Sequence, residues 1–514
     1  MPVLSGNGQG ERGQAAVFAV VLLLAVLVTV ALLYNSGRLT LTKTHLQNAA
    51  DSTAYSGALL LARDYNFSAY ANRAMVANQV AIAQMVGLRS WSRYYCTLYN
   101  DQCGNQNNPH GLPSQIRQVV GQTVIGKVYV PLLRVYGANS TAIFQINKAA
   151  DGPIATWANT ISDMLSGAAQ VYHQGVVAEI SALTAQSGIL ATILKDNDPQ
   201  AQVSAYGKLL LASDVAAIQG FTRTYGQNYS GKKRFAALAI QGLDGFSRSR
   251  HSAEAPYPLV NPLASPPLKP GYHAFAVIGN VPYTGGTELK SDLSSWNAMD
   301  VASIGNMSFA DYWTWVPTPF GLVIFFLPLP VKTNPILFFN SVDMAHAAAG
   351  IGPEGTDPLG QSNNFGAATG SASYGSSYSA NPGPAYAQKN QGPGAAIGQY
   401  SGLPQYEDVS DTTASDFQAP LLTLVIDRPQ GSVMTTTQLH VDSGAMALPG
   451  HEAGNQVEAM ASAQTHFVRP RQSRFLGNQV VYGNLFNPYW EPHLVPTPSG
   501  IANAAIAAQM AGHG

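Results

Sequence analysis

The sequence predicts an α+β protein: an N-terminal single-pass transmembrane helix continues into a helical stalk and a helical bundle, and a β-rich region interrupted by a long Gly/Ser/Tyr-rich loop follows. Three observations carry this reading. Ala15 to Leu33 is an unbroken apolar run whose only polar residue is Thr29. From there to about Arg250, apolar and small side chains recur at helical spacing. Past His251, prolines at 256, 258, 262, 266, 267 and 270 end that pattern, and short apolar runs of strand character replace it.

Residues 1–12 form a polar tail, and residues 13–34 (GQAAVFAVVLLLAVLVTVALLY) form the anchor. A helix rises about 1.5 Å per residue, so ~20 apolar residues match the hydrocarbon core of a bilayer. The helix also satisfies its own backbone where lipid cannot. A secretory signal peptide has a shorter apolar core and a small-x-small cleavage site. Here Tyr34-Asn35-Ser36-Gly37-Arg38 follows the run without an Ala-x-Ala pattern, so an uncleaved anchor is expected. Arg12 on one side and Arg38 and Lys43 on the other do not decide its orientation.

The helix has no sequence reason to stop at the membrane surface. Residues 35–64 contain no Pro, and Leu39, Thr42, Leu46, Ala49, Ala50, Thr53, Gly57, Leu60 and Leu61 trace one face, with Lys43, Gln47 and Asp51 on the other. A continuous helix from Gln14 to Asp64 would be about 75 Å long. The stalk contact face Leu46, Ala50, Thr53 and Gly57 lies outside lipid and must be buried, either on the protein's own helical domain or on a partner's stalk helix. Ala50, Ala54 and Ala58 permit close helix contact, and Ala is also simply a good helix former.

Residues 65–250 read as a helical domain, with breaks expected at Pro113, Pro131, Asp151-Gly152-Pro153, Asn197-Asp198-Pro199 and Gly226. Residues 251–350 are β-rich, with strands expected at His273–Val281 and Phe320–Val331; the latter is too short and too broken by Pro328 and Pro330 for a second span. The aromatic run around Trp313 and Trp315 suits either a core or a docked partner. Residues 351–417 hold too little apolar surface to offset ordering and are expected to be a flexible low-complexity linker. A second β-rich region, 418–498, carries strand patterns at Leu421–Asp427, Thr435–Val441 and Asn478–Phe486, and 499–514 is an Ala-rich tail.

Charged residues make up 11% of the chain and the net charge is −1, which gives no basic stripe for nucleic acid. The two cysteines, Cys96 and Cys103, sit in CTLYNDQC. A disulfide there would restrict the unfolded chain by roughly 2–3 kcal/mol. Metal binding would need two further ligands. The pair favours an oxidising compartment for the body.

RGQAAVFAVVLLLAVLVTVALLY, followed by LQNAADSTAYSGALLLARD, resembles the N-terminal module of TadE/TadG-like proteins of the Flp (tight adherence) pilus-assembly system. Tyr65–Gln84 is similar to a segment associated with the same bacterial group, and shorter echoes fall at Gly285–Asp300 and Gly483–Val495. The resemblance implies an inner-membrane protein with a cytoplasmic N-terminus, a periplasmic body, and other pilus-assembly proteins as partners beside the bilayer. In processed pilins the fifth residue after the cut glycine is usually Glu. Here Phe18 stands five residues after Gly13, so an unprocessed, TadG-like anchor fits better than a polymerising pilin.

No catalytic constellation is legible. Gly350–Gly355 matches GxGxxG without the strand and helix that give it meaning, no phosphate loop is present, and the histidines show no metal-ligand spacing. Asp427–Ser432 departs from the Asp-x-Ser-x-Ser pattern of von Willebrand type A domains, with Pro429 in place of the first serine. The reading is therefore no enzyme, no cofactor, no metal and no evident small-molecule substrate: a membrane-anchored structural or accessory component of pilus assembly that works by protein–protein binding. The alternative is an envelope-anchored enzyme or sensor with dispersed active-site residues. A deep pocket with convergent acid, base or nucleophile groups would favour it.

Overall fold

Glu11–Tyr99 is one helix, α1, of 89 residues. The computed structural model describes residues 11–99, 124–226, 229–248, 250–251, 275–280, 283–289, 293–311, 313–318, 321–326, 342–352, 395–410, 418–429, 432, 456–468 and 482–511. After α1 come α2 (Val124–Ala182), a single 3-10 turn at Leu183–Ala185, α3 (Gly188–Asn197), β1 (Gln202–Val203), α4 (Ala205–Phe221), β2 (Thr222–Tyr225), α5 (Tyr229–Gln241), α6 (Gly245–Arg248) and β3 (Arg250–His251). Strands β4 (Phe275–Asn280), β5 (Tyr283–Leu289), β6 (Trp296–Asp311), β7 (Trp313–Thr318), β8 (Gly321–Phe326), β9 (Val342–Gly352), β10 (Ala395–Gln399) and β11 (Tyr406–Val409) follow. The chain closes with β12 (Gln418–Pro429), β13 (Gln456–Phe467), β14 (Trp490–Val495) and α7 (Ser499–Ala511). The mixture of a long apolar helix, further helices and sheets is the expected α+β class.

Two compact units form, each from separate stretches of chain. The first comprises Met1–Ala71, Gly167–Thr224 and Glu407–Gly514; the second comprises Asn72–Ser166 and Tyr225–Tyr406.

In the first unit a four-stranded antiparallel sheet has the order β1-β12-β13-β14. Its core-facing residues come in large–small pairs: Leu422 opposite Ala463, Leu424 opposite Ala461, Ile426 opposite Ala459. The alanines of β13 leave room for a helix to lie close, and Leu46, Ala50, Ala54, Ala58 and Leu61 of α1 share one buried core with them. Polar groups close the contact, Gln47 Nε2 donating to the Met460 carbonyl at 2.8 Å and Thr465 Oγ1 to the Ala58 carbonyl at 3.0 Å. Tyr65, Phe221, Phe467 and Trp490 meet edge to face or tilted at one end of the core, ring centroids 5.2–5.8 Å apart.

In the second unit one sheet runs β10-β9-β6-β5-β3, with β4 also pairing β6, and β7 and β8 form a hairpin. Arg250 is held by Asp300 through two hydrogen bonds, Nε to Oδ1 at 2.7 Å and Nη2 to Oδ2 at 3.0 Å, with Phe246 under its guanidinium. The Trp296 indole donates to Gln79 Oε1 at 3.1 Å, and the Tyr400 hydroxyl donates to the same oxygen.

Several expectations need correction. The helix does not break at Pro131 or at Asp151-Gly152-Pro153, because α2 runs through both. An interior Pro costs about 3 kcal/mol, and around Pro153 tertiary contacts outweigh this. Arg89 pairs with Asp151 at 2.7 Å and lies over the Phe144 ring, and Asn78 bonds the Ala158 carbonyl and Ser162, so the turns on both sides are fastened to α1. The break at Asn197–Pro199 is present, α3 ending at Asn197 with Asp198 extended. The helical stretch expected after Ala201 is interrupted by β1, which pairs with β12, and by β2, which pairs with β11. Tyr482–Phe486 is not a strand: Asn484 Oδ1 accepts from Phe486 N at 2.9 Å, an Asx turn, and the strand starts at Trp490. Part of the expected linker is structured too, since Ala395–Gln399 and Tyr406–Val409 are strands and Tyr400 and Leu403 are buried. The strands expected near His273 and Phe320 are β4 and β8. Pro113, Thr435–Val441 and residues 353–394 lie outside the described residues.

Candidate functional site

Among the described residues α1 is the helix long and apolar enough to cross a membrane, and no part of its apolar window is buried. The one polar side chain within that window, Thr29, donates its hydroxyl to the Ala25 carbonyl at 2.8 Å, so it offers lipid no unsatisfied donor.

The contact face of the stalk lies inside the protein. Leu46, Ala50, Thr53 and Gly57 are all buried. A Cβ on Gly57 would stand 2.4 Å from Leu422 Cδ2, so only glycine permits this approach with Leu422 in place. Thr53 turns its hydroxyl back to the Ala49 carbonyl at 2.8 Å. What covers the face is the C-terminal sheet together with Leu190 of α3, neither the expected helical domain alone nor a partner. Those strands lie some four hundred residues downstream, a separation periodicity cannot see.

Two turns beyond Gly57, on the same inward face, stands Asp64, fully buried. Its Oδ2 lies 2.6 Å from His173 Nδ1, on α2. The other ring nitrogen, Nε2, lies 3.4 Å from Thr222 Oγ1. Burial raises the Asp64 carboxyl above its ordinary value against the opposing pull of His173. For His173, burial works to lower the imidazole, but the hydrogen bond and charge of Asp64, with the charge of Glu407, outweigh it and hold the ring above its usual value. Glu407 is itself raised by burial. His173, Thr222 and Glu407 face a polar cleft of about 450 Å³ whose wall also carries Gln170, Gln219 and Arg223. Acid, imidazole and hydroxyl thus stand in sequence at a cleft. Sequence reasoning passed over all of them. The one signal for Asp64 was a carboxylate three residues after Leu61 on an apolar helix face.

Cys96 is buried on α1, its Sγ 3.5 Å from Thr141 Oγ1 on α2. Cys103 lies outside the described residues. Among the described residues no group of three or more His, Cys, Asp or Glu side chains is placed to hold a metal ion. In the stretch Asp427–Ser432, Arg428 pairs with Asp198 at 3.0 Å and donates to Ser432.

Among the described residues, the fold and site define a protein whose exposed apolar helical window continues into a stretch clasped by its own C-terminal sheet. Residues 13–63, which hold both the exposed window and the clasped face, match the family model described as putative Flp pilus-assembly TadE/G-like. No curated protein and no solved structure matches the chain.

Proposed function

We propose that the chain is a membrane-anchored structural or accessory component of Flp pilus assembly, acting by protein–protein binding in the cell envelope and not as an enzyme. The observation that carries this reading is the family match itself, which falls on the exposed window and the clasped part of α1. In this account the N-terminal dozen residues are cytoplasmic, the anchor crosses the inner membrane, and the body stands in the periplasm, where Cys96 and Cys103 pair with each other. Other pilus-assembly proteins are its partners. Co-purification from crosslinked envelopes tests the account: recovery of pilus-assembly components supports it, and recovery of none of them contradicts it.

The cleft supports a second reading, an envelope enzyme or sensor, because Asp64, His173 and Thr222 stand in the order of a nucleophile triad. Two features favour the binding role. The imidazole is held above its ordinary pKa by Asp64 and Glu407 against the effect of burial, which favours the protonated ring over the form that accepts a proton. The hydroxyl is also at 3.4 Å, long for an activated pair. Thr222→Val separates the two readings: unchanged piliation supports the binding role, and loss of function in a folded protein supports the enzyme.

A further inference from the structure

Within the second unit, α2 turns Ser140, Asp151, Ala155, Ala158 and Ser162 inward. Its outward side is unusual for a helix in water. Val135, Tyr136, Ile143, Ile146, Trp157 and Met164 are large, apolar and exposed, Trp157 at 64% and Ile146 at 69%. Tyr136, Ile143, Trp157 and Met164 fall on one seven-residue repeat, with Ala150 filling the remaining place, and Ile146 stands three residues after Ile143. At 100° per residue these side chains fall within roughly one quadrant of the helix surface, and no charged residue shares it. The nearest exposed charges, Lys148 and Asp163, lie off that stripe.

A seven-residue apolar repeat is the signature of a helix that packs lengthwise on another helix. Summed over the six side chains, the exposed area is on the order of 700 Å², close to the ~800 Å² that each partner contributes to a standard interface. The stripe carries no charge with which to select a different partner, whereas a second copy offers the same length of helix and the same repeat. Copies tethered in one bilayer also meet at high effective concentration. In this unit α2 runs antiparallel to α1, Arg89 meeting Asp151 and Asn78 meeting Ala158 and Ser162. Two copies inserted in one bilayer in the same sense are related by a rotation about the membrane normal, which allows the two α2 helices to pair in parallel.

We infer that this stripe is a homotypic interface: α2 of one copy pairs in parallel with α2 of a second, Ile143, Ala150, Trp157 and Met164 each facing their own counterpart. The test uses the full chain in native membranes, with single cysteines added and mild oxidation applied. Met164→Cys gives a covalent homodimer well above the unsubstituted chain, while Asp163→Cys, one residue off the stripe, does not. Adding Ile143→Glu and Trp157→Glu to Met164→Cys lowers the dimer yield at least tenfold. Because both side chains are exposed, the thermal midpoint stays within a few degrees of that of Met164→Cys alone. No dimer above background from Met164→Cys, equal crosslinking from Asp163→Cys, a product with a different polypeptide, or a dimer that survives the two glutamates overturns the inference.

Discussion

The hydroxyl of Thr465 donates to the carbonyl of Ala58 at 3.0 Å, a bond inside the first unit between residues 407 positions apart. It joins β13 to α1, the helix that carries the exposed apolar window. The neighbouring contact between Gly57 and Leu422 makes the same junction sterically exact.

Gly57→Leu forces a branched side chain into the space of Leu422 and is expected to destabilise the first unit by about 2–3 kcal/mol. Leu422→Ala in the same chain restores part of that loss, since the two changes share one space. Thermal unfolding of the four chains of this cycle checks both statements; additive effects would show that the contact is not made. Ala50→Arg places a charge in the same core and is expected to reduce the folded fraction itself, with membrane insertion intact.

Much of α1, its apolar window and its buried face, was legible in the sequence because a long apolar run and a 3.6-residue period are local signals. The cover of the stalk was not. β13 reads QVEAMASAQTHF, and alanine has low strand propensity, so the strand that hydrogen-bonds to α1 at Gln47 and Ala58 carried no β signal of its own. Pro131 and Pro153 misled for the opposite reason: α2 runs through both local breakers, and at Pro153 contacts of Arg89 with Asp151 and of Asn78 with Ala158 outweigh the cost. Asp64 and His173 lie 109 residues apart, and only the fold brings them together.

For the Asp64–His173 pair, a folded imidazole pKa above the usual value means that its contribution is complete below the unfolded pKa of ~6.5 and is lost as pH rises through the folded value. Asp64→Asn removes the main opposing influence to burial, so the His173 pKa is expected to fall. Titration of the His173 ring by NMR in detergent micelles measures it; an unchanged value would show that Asp64 does not hold the ring.

Glu288, 4% exposed, is raised to about 9 by burial. A raised carboxyl is neutral in the folded protein, so its contribution is complete below an unfolded pKa near 4.5 and is lost as pH rises towards the folded value. Glu288→Gln cannot ionise and is expected to be more stable than the parent by at least ~2 kcal/mol at pH 8, with little difference at pH 4. Denaturant midpoints at the two pH values decide it; equal midpoints at pH 8 would mean that the carboxylate is solvated.

Cys96 and Cys103 are expected to be joined in protein taken from the envelope. Mass spectrometry of non-reduced peptides shows the linked pair, and two freely alkylated thiols would remove the disulfide from the account.

The central claim, a membrane-anchored part in pilus assembly, is tested most directly by counting surface pili by electron microscopy in cells that lack the chain and are supplied with it again. The account predicts few or no pili without it and restoration by the intact chain. It also predicts no restoration by a chain whose residues 13–34 are replaced with a cleavable secretory signal, although the body reaches the periplasm. Normal piliation in the complete absence of the chain would contradict the account.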